Sequence, residues 1–356
     1  MTRTLAQWLE YQQQVHPKSI DMGLERITVV AARLRLGRPA RLVATVAGTN
    51  GKGSTVAFIE AIARAQGLRV GAYTSPHLLR YNERVRIDGV EAGDDALIAA
   101  FERIEAARLG ADENLPDAAP GDAVPLTYFE FGTLAALLLF HAEDLDLAVL
   151  EVGLGGRLDA TNLIEPDVAV ITTVDLDHQD YLGTDREAIG AEKAGILRAG
   201  RPAVLAERDP PSSVLRRAYA IGAFAIRGHA DYLVDAEPGD DHWTWREPGF
   251  AIRLPRPALD APAQLDNAAA AIAALRALPI AIDDAAIRDG VASAHAPGRL
   301  QVLQREPEIV VDVGHNPQAA RELARWLEAR PKSTHAVFSA LADKDIAPIA
   351  SRSVPR

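Results

Sequence analysis

Short apolar runs alternate with longer stretches in which apolar residues recur every three to four positions, and this rhythm holds through most of the chain. Five runs read as buried strands, at residues 42–46, 69–73, 147–151, 168–172 and 202–205. Helical patterns occupy residues 55–65, 94–108, 129–141 and 186–197. Strands that alternate with helices predict a mostly parallel sheet covered by helices. From 232 to 254 Trp and Pro punctuate the pattern, which predicts short antiparallel strands at the domain edge. Two helices follow, at 265–278 and 283–294, and Pro297-Gly298-Arg299 reads as a hinge. A strand at 309–313, a helix at 318–328 and a further strand at 335–341 then begin a second unit. An α/β unit with only two or three strands is too small to cover both faces of its sheet, so this C-terminal unit is expected to be cut short in the chain. The expected division is residues 1–296 and 297–356. Residues 110–125, rich in Ala, Pro, Gly and Asp, read as a mobile loop.

Composition narrows the function. A chain of 356 residues favours two domains over one core. It has no cysteine, which excludes a disulfide framework, a thiolate metal site and a thiol nucleophile. The net charge of −11 argues against a nucleic-acid partner. Residues 134–140 are too short an apolar stretch to span a bilayer. Gln12, Gln13, Gln14 and His16 stand where a signal peptide would need an apolar core. A soluble, cytoplasmic protein without a membrane partner is expected.

The candidate chemistry is concentrated in Ala47-Gly-Thr-Asn-Gly-Lys-Gly-Ser54. A buried strand precedes this glycine-rich turn and an amphipathic helix follows it. Glycines let backbone N–H groups face a phosphate, Lys52 supplies charge for the outer phosphates, and a hydroxyl at the helix start can reach Mg²⁺. The spacing is not the standard one: two residues separate Gly48 from Gly51, and Gly53 divides Lys52 from Ser54. A flexible surface turn is the plain alternative, but its place between strand and helix favours nucleotide binding. Glu151 ends a strand at the edge where ligands of open α/β sheets bind, and a carboxylate there can hold phosphate-bound Mg²⁺. Taken singly, Glu151 reads as a solvated strand end, His178 as a general polar site residue, and Lys193 as a surface lysine.

Together these pieces resemble the Mur ligase superfamily, and within it the bifunctional dihydrofolate synthase/folylpolyglutamate synthase family. The resemblance rests on nine strings in order. They are Ala47 to Ser54, Thr74-Ser-Pro-His-Leu78, Asn82-Glu-Arg-Val-Arg86, Thr127-Tyr-Phe-Glu130, Leu150 to Asn162, Asp177-His178, Glu192-Lys-Ala-Gly195, Pro297-Gly-Arg299 and Asp312-Val-Gly-His-Asn-Pro317. One small departure is Gly314, where the family pattern has Ala.

The resemblance implies an α/β fold: a central P-loop domain with a mostly parallel sheet, plus a smaller Rossmann-like C-terminal domain. It implies that Thr49, Asn50, Gly51, Lys52, Gly53 and Ser54 cradle ATP, with Asn267, Arg299 and Asp312 contacting the nucleotide. Ser75 and Glu151 would hold one Mg²⁺ and His178 a second, while Lys193, if carbamylated, becomes a carboxylate-like metal-directed group. Lys52, Lys193 and His178 would be the catalytic side chains, with the role of His315 left open. Asp21, Met22, Gly23, Leu24, Thr127, Tyr128, Phe129, Glu130, Leu158, Asp159 and Ala160 would bind dihydropteroate. Tyr128 or Phe129 offers an aromatic face to a flat pterin, although ordinary packing at a helix start explains either one as well. The implied reaction is ATP-dependent addition of L-glutamate to dihydropteroate or to folate glutamyl tails by a monomer. A Mur-type peptidoglycan precursor ligase shares the ATP chemistry, and a nucleotide- or pterin-binding fragment without ligase activity is the non-enzymatic alternative.

Overall fold

In the computed structural model, residues 3–110, 122–237, 239–330 and 333–339 are described. Two N-terminal helices come first, α1 (Leu5–Val15) and α2 (Glu25–Arg33). The first sheet strand is β1 (Leu42–Ala47), followed by α3 (Lys52–Ala65) and β2 (Val70–Tyr73). Two short strands, β3 (Val85–Ile87) and β4 (Val90–Glu91), precede α4 (Asp94–Arg108) and α5 (Tyr128–His141). Then come β5 (Leu147–Glu151), β6 (Val168–Ile171), α6 (Gln179–Leu182), α7 (Arg186–Lys193) and β7 (Pro202–Leu205). The first lobe continues with α8 (Ser212–Ile221) and β8 (Phe224–Arg227). Next are β9 (Leu233–Asp235), β10 (His242–Glu247), β11 (Phe250–Pro255), α9 (Gln264–Ala277) and α10 (Asp284–Ser293). A smaller lobe holds β12 (Gln301–Arg305), β13 (Glu308–Val311) and α11 (Pro317–Glu328).

The main sheet runs β4-β3-β2-β5-β1-β6-β7-β8. All pairings from β2 to β8 are parallel, while β3 and β4 extend one edge antiparallel. Sequence dictates this arrangement locally. The β1 run Leu-Val-Ala-Thr-Val-Ala is buried at every position, as a parallel strand covered on both faces must be. Its side chains alternate: Leu42, Ala44 and Val46 face the core shared with α3 and α9, whereas Val43 faces the core shared with α1, α2, α4 and α5. The alanine run 268–271 lets α9 lie close against the sheet. Fully burying each large aliphatic side chain contributes roughly 1.5–3 kcal/mol, so these two cores set the positions of the loops between them.

Strand order also builds the site. β1 lies between β5 and β6, with Val46 beside Glu151 and Ala47 beside Ile171. The chain leaves the C-terminal ends of these three neighbouring strands in the turn after Ala47, at Glu151, and in the segment 172–178. This is the crevice where the direction of winding changes.

The main expectations for fold and sheet hold, with shifts of a few residues at element ends. The helix expected at 186–197 is α7 plus a separate 3-10 turn, Ala194–Ile196. The antiparallel strands expected between 232 and 254 are β9 to β11, and they pack rather than fray: Trp243 and Trp245 are buried, with indole N–H groups donating to Pro255 O (3.0 Å) and Ala269 O (3.2 Å). In the smaller lobe, β12 and β13 form an antiparallel hairpin, and no parallel strand accompanies them among the described residues. The strand expected at 335–341 is corrected in part: residues 335–339 have no regular structure and are exposed, with no strand pairing, and 340–341 lie outside the described residues. Residues 111–121 of the expected loop also lie outside them.

Candidate active site

The turn between β1 and α3 is held from below by the end of β6. Thr49 N donates to Thr173 O (2.7 Å), Asn50 N to Thr173 Oγ1 (3.1 Å), and Thr172 Oγ1 to Asn50 O (2.6 Å). Gly51 caps α3 in the left-handed region (φ +88°), and a Cβ there would meet Asn267 Oδ1 at 2.4 Å. No side chain caps this helix start, so its N–H groups are free to face an anion. Lys52 Nζ folds over the turn, donating to Gly48 O (2.9 Å) and Thr49 O (3.1 Å). Burial lowers the Lys52 pKa from its usual value, while Glu151 and Asp177 pull it back upward.

Glu151, 3% exposed, closes the other side of the turn. Its Oε2 accepts from Ser75 N (3.1 Å), and Oε1 accepts no hydrogen bond among the described residues. Burial raises its pKa, opposed chiefly by Lys52 and by the Ser75 N–H. A cleft of about 680 Å³ runs from Glu151, Ser75, Gly53 and Arg299 along α3 toward Arg86 and His295. A buried carboxylate with an uncommitted oxygen, beside a serine and a phosphate-cradling turn, is an all-oxygen donor set, and that suits Mg²⁺.

The other residues of the expected metal set are arranged differently. Lys193 is 3% exposed, which corrects its reading as a surface lysine. The cause is a close approach: at Gly156 a Cβ would fall 2.9 Å from both Glu192 O and Lys193 O, so the glycine turn after β5 packs directly on α7. Burial, reinforced by Lys52, pushes the Lys193 pKa down to about 7, with Asp177 and Asp159 acting in the opposite sense. His178 adopts a left-handed backbone (φ 48°), and its Nε2 lies 3.8 Å from Asp177 Oδ1. Among the described residues no group of three or more His, Asp or Glu side chains is poised to hold a metal. Ser75 and Glu151 are thus in contact, while Lys193 and His178 share Asp177 as a neighbour.

The segments expected to hold a pterin come together. Gly23 N donates to Leu158 O (3.3 Å), joining residues 21–24 to 158–160. Arg26 ties both to α5: it binds Asp21 Oδ2 (2.6 Å) and lies 3.2 Å from Glu130 Oε1. Thr127 and Glu130 cap α5 reciprocally, with Thr127 N donating to Glu130 Oε2 (2.7 Å). The Phe129 ring sits over Gly153, where a Cβ would be 2.5 Å away, and Met22 approaches Gly155. Asp159 is buried with its pKa raised by desolvation, and its carboxylate accepts from Thr161 and from Leu154 N.

From the hinge, Arg299 reaches Gly53: its Nη2 would lie 3.7 Å from a Cβ there. Asn267 stands over Gly51, held by Gln264. Asp312 is engaged elsewhere, accepting from Leu300 N (2.9 Å) and Gly314 N (2.7 Å). His315 Nε2 is 3.6 Å from Asp177 Oδ2. Residues not singled out from sequence dock the smaller lobe on the phosphate turn. Asn316 and Asn50 exchange amide hydrogen bonds (3.0 Å each way), and Gln318 Oε1 accepts from Asn50 Nδ2 (2.6 Å). Arg321 pairs with Asp175. The sequence signal was Asn316-Pro317, a helix cap followed by an N1 proline.

A glycine-rich turn at a helix N-terminus, a buried carboxylate at the adjacent strand end and a smaller second lobe are the parts of an ATP-dependent ligase of the Mur type, and comparisons with known proteins place the chain in that class. Residues 118–275 match the Mur ligase middle domain, and 298–354 the Mur ligase glutamate ligase domain. The dihydrofolate synthase/folylpolyglutamate synthase of Escherichia coli (strain K12) is 48% identical over 346 residues, covering 96% of this chain and 78% of that protein. That of Haemophilus influenzae is 42% identical, covering 97% of this chain and 79% of its own length. The solved structure of E. coli FolC with DHPP and ADP has a TM-score of 0.90 at 46% identity, covering 98% of this chain and 81% of that one. A bifunctional folylpolyglutamate synthase/dihydrofolate synthase with Mn, AMPPNP and L-glutamate bound scores 0.88 at 45% identity, covering 99% of this chain and 81% of its own. The chain belongs to the dihydrofolate synthase/folylpolyglutamate synthase family of the Mur ligases. This decides for a folate ligase over a peptidoglycan precursor ligase.

Proposed function

We propose that this enzyme joins L-glutamate to dihydropteroate and to folate glutamyl tails at the expense of ATP, with two working units, residues 1–296 and 297–356. The observation that carries the assignment of roles is the meeting of Lys52, Glu151 and Ser75 at the C-terminal ends of β1, β5 and β2. ATP phosphates lie in the turn Thr49–Ser54, with Asn267, Arg299 and Asp312 completing the nucleotide site as the smaller lobe closes. The pterin lies among residues 21–24, 127–130 and 158–160, whose mutual contacts support one binding surface. The reading includes a cytoplasmic monomer.

The acceptor carboxylate oxygen attacks the γ-phosphorus, the bond to ADP breaks, and an acyl phosphate forms. The glutamate amine then attacks the acyl carbon, the C–O bond to phosphate breaks, and the amine proton is lost. Two anions must approach each other in the first step, and Lys52 offsets their repulsion. Glu151 and Ser75 would hold one Mg²⁺ and His178 a second, and the bound metal would supply further charge neutralisation. Lys193 is carbamylated: its neutral amine adds to CO₂, an N–C bond forms and a proton leaves to solvent. The pKa of about 7 supports this, because a large fraction of the amine is uncharged at neutral pH. Closure of the smaller lobe excludes water that would hydrolyse the acyl phosphate.

Glutamate-dependent ADP release tests the reading, with dihydropteroate and then tetrahydrofolate as acceptor. Lys52→Ala should lower kcat by about 10²–10³-fold while leaving the thermal midpoint close to the parent's. Near-parental turnover in that variant would remove Lys52 from the mechanism.

A further inference from the structure

Arg84 is a buried cation that the mechanism above does not use. It ends the 3-10 turn Tyr81–Arg84 leading into β3, and 8% of it is exposed. Its carbonyl accepts from Thr74 N (2.9 Å), which fixes it against the loop that carries Ser75. Its Nε donates to His77 Nδ1 (2.9 Å), so His77 is the neutral tautomer with its other nitrogen protonated. The guanidinium carbon lies 5.4 Å from the Tyr81 ring centre and 5.5 Å from that of Tyr128.

What Arg84 lacks is an anion. The comparably buried Arg108 has Glu105 at 2.7 Å, and Arg86, two residues along, has Glu60 at 2.8 Å. No carboxylate pairs with Arg84 among the described residues, although a desolvated guanidinium without a counter-charge is costly. Aromatic rings compensate only part of that cost. Its position is informative: Tyr128 belongs to the segment assigned to the pterin, and the Thr74–Ser75 loop belongs to the phosphoryl-transfer corner. Arg84 thus lies beside both the segment assigned to the pterin and the loop that carries Ser75, and its side chain also bonds the Tyr73 hydroxyl.

We propose that Arg84 binds the α-carboxylate of the terminal glutamate of a folate acceptor and so distinguishes folyl substrates from dihydropteroate. This rests on the ligase reading above. A folate with one glutamate carries two carboxylates, of which the γ group reacts and the α group stays anionic. Pairing the reacting carboxylate would draw charge away from the nucleophile. Pairing the α-carboxylate leaves the nucleophile free and orients it, and the planar guanidinium fork suits a carboxylate held at two oxygens. Dihydropteroate has only the reacting carboxylate and leaves this contact unused.

The test is a comparison of KM and kcat for tetrahydrofolate and for dihydropteroate in the parent, Arg84→Gln and Arg84→Lys proteins. In Arg84→Gln the KM for tetrahydrofolate should rise about ten- to a hundredfold, with that for dihydropteroate within about threefold of the parent. Arg84→Lys, which keeps the charge and loses the fork, should fall between. An equal rise for both acceptors, or an unchanged KM for tetrahydrofolate, would overturn the proposal. ADP affinity by calorimetry reports folding; if Arg84→Gln fails to bind ADP, Arg84→Lys carries the same comparison with the same two outcomes. Absence of turnover by the parent with either acceptor would refute the ligase reading instead. Equilibrium binding of the two acceptors to parent and variant then decides the role of Arg84 by the same contrast.

Discussion

Lys52 and Lys193 show how differently two site residues can be read. The place of Lys52 in a strand–turn–helix was legible because its glycines stand next to it in sequence and that context follows from local pattern. The burial of Lys193 was not, because α7 is a short helix of mixed polarity and only the approach of Gly156 from a distant turn encloses it. That burial has a measurable consequence. The folded pKa of about 7 lies below the ordinary 10.5, so between these values the unfolded chain binds the extra proton. Stability conferred by this group therefore rises with pH through that window, and the full penalty is present below pH 7. In CO₂-free buffer Lys193→Met should be more stable than the parent by urea unfolding at about pH 6, with the gap narrowing by about pH 9. Lys193→Ala should lose ligase activity, with partial rescue by a short carboxylate in solution. A constant stability gap across that range would contradict the burial argument, and full activity with an unmodified lysine would contradict carbamylation.

At the scale of elements, the parallel strands were plain because each is apolar throughout and bounded by turns. The N-terminal helices α1 and α2 were not assigned from the pattern, although Thr4 and Gln7 form a capping box at the start of α1 that sequence displays. β13 answers to the strand expected at 309–313, whereas β12 and its pairing escaped because it carries little burial, leaving alternation with no core face to mark it. Helix α11 is the element that joins the lobes. Asn316 caps it, accepting from Ala319 N (3.0 Å), and the same side chain pairs with Asn50 in the phosphate turn. Asn316→Ala removes both contacts. The cap alone is worth about 1 kcal/mol. Limited proteolysis should therefore cut within 298–330 sooner in the variant, with fragments of the first lobe persisting as in the parent. Identical cleavage kinetics would show that the Asn50–Asn316 pair does not hold the lobes together.

For the whole molecule, the two large cores hold three strand ends side by side, and chemistry is collected there from segments more than a hundred residues apart. The sequence motifs named most of these segments but not their neighbours. Asp177 appeared only as the partner of His178 in a string, whereas it faces His178, His315 and Asn316 and acts on both lysines. Such convergence depends on strand order, which no local pattern encodes. The smaller lobe presents Leu303, Ile309 and Phe338 to solvent, and none of its described residues belongs to the cores of the first lobe. The central claim is that this arrangement activates a carboxylate by phosphorylation before the amide forms. Dihydropteroate labelled with heavy oxygen in its carboxylate, incubated with ATP, Mg²⁺ and L-glutamate, tests it most directly. An acyl phosphate breaks at its C–O bond, so the released inorganic phosphate should carry one labelled oxygen for every amide formed. Unlabelled phosphate accompanying amide formation would contradict the account.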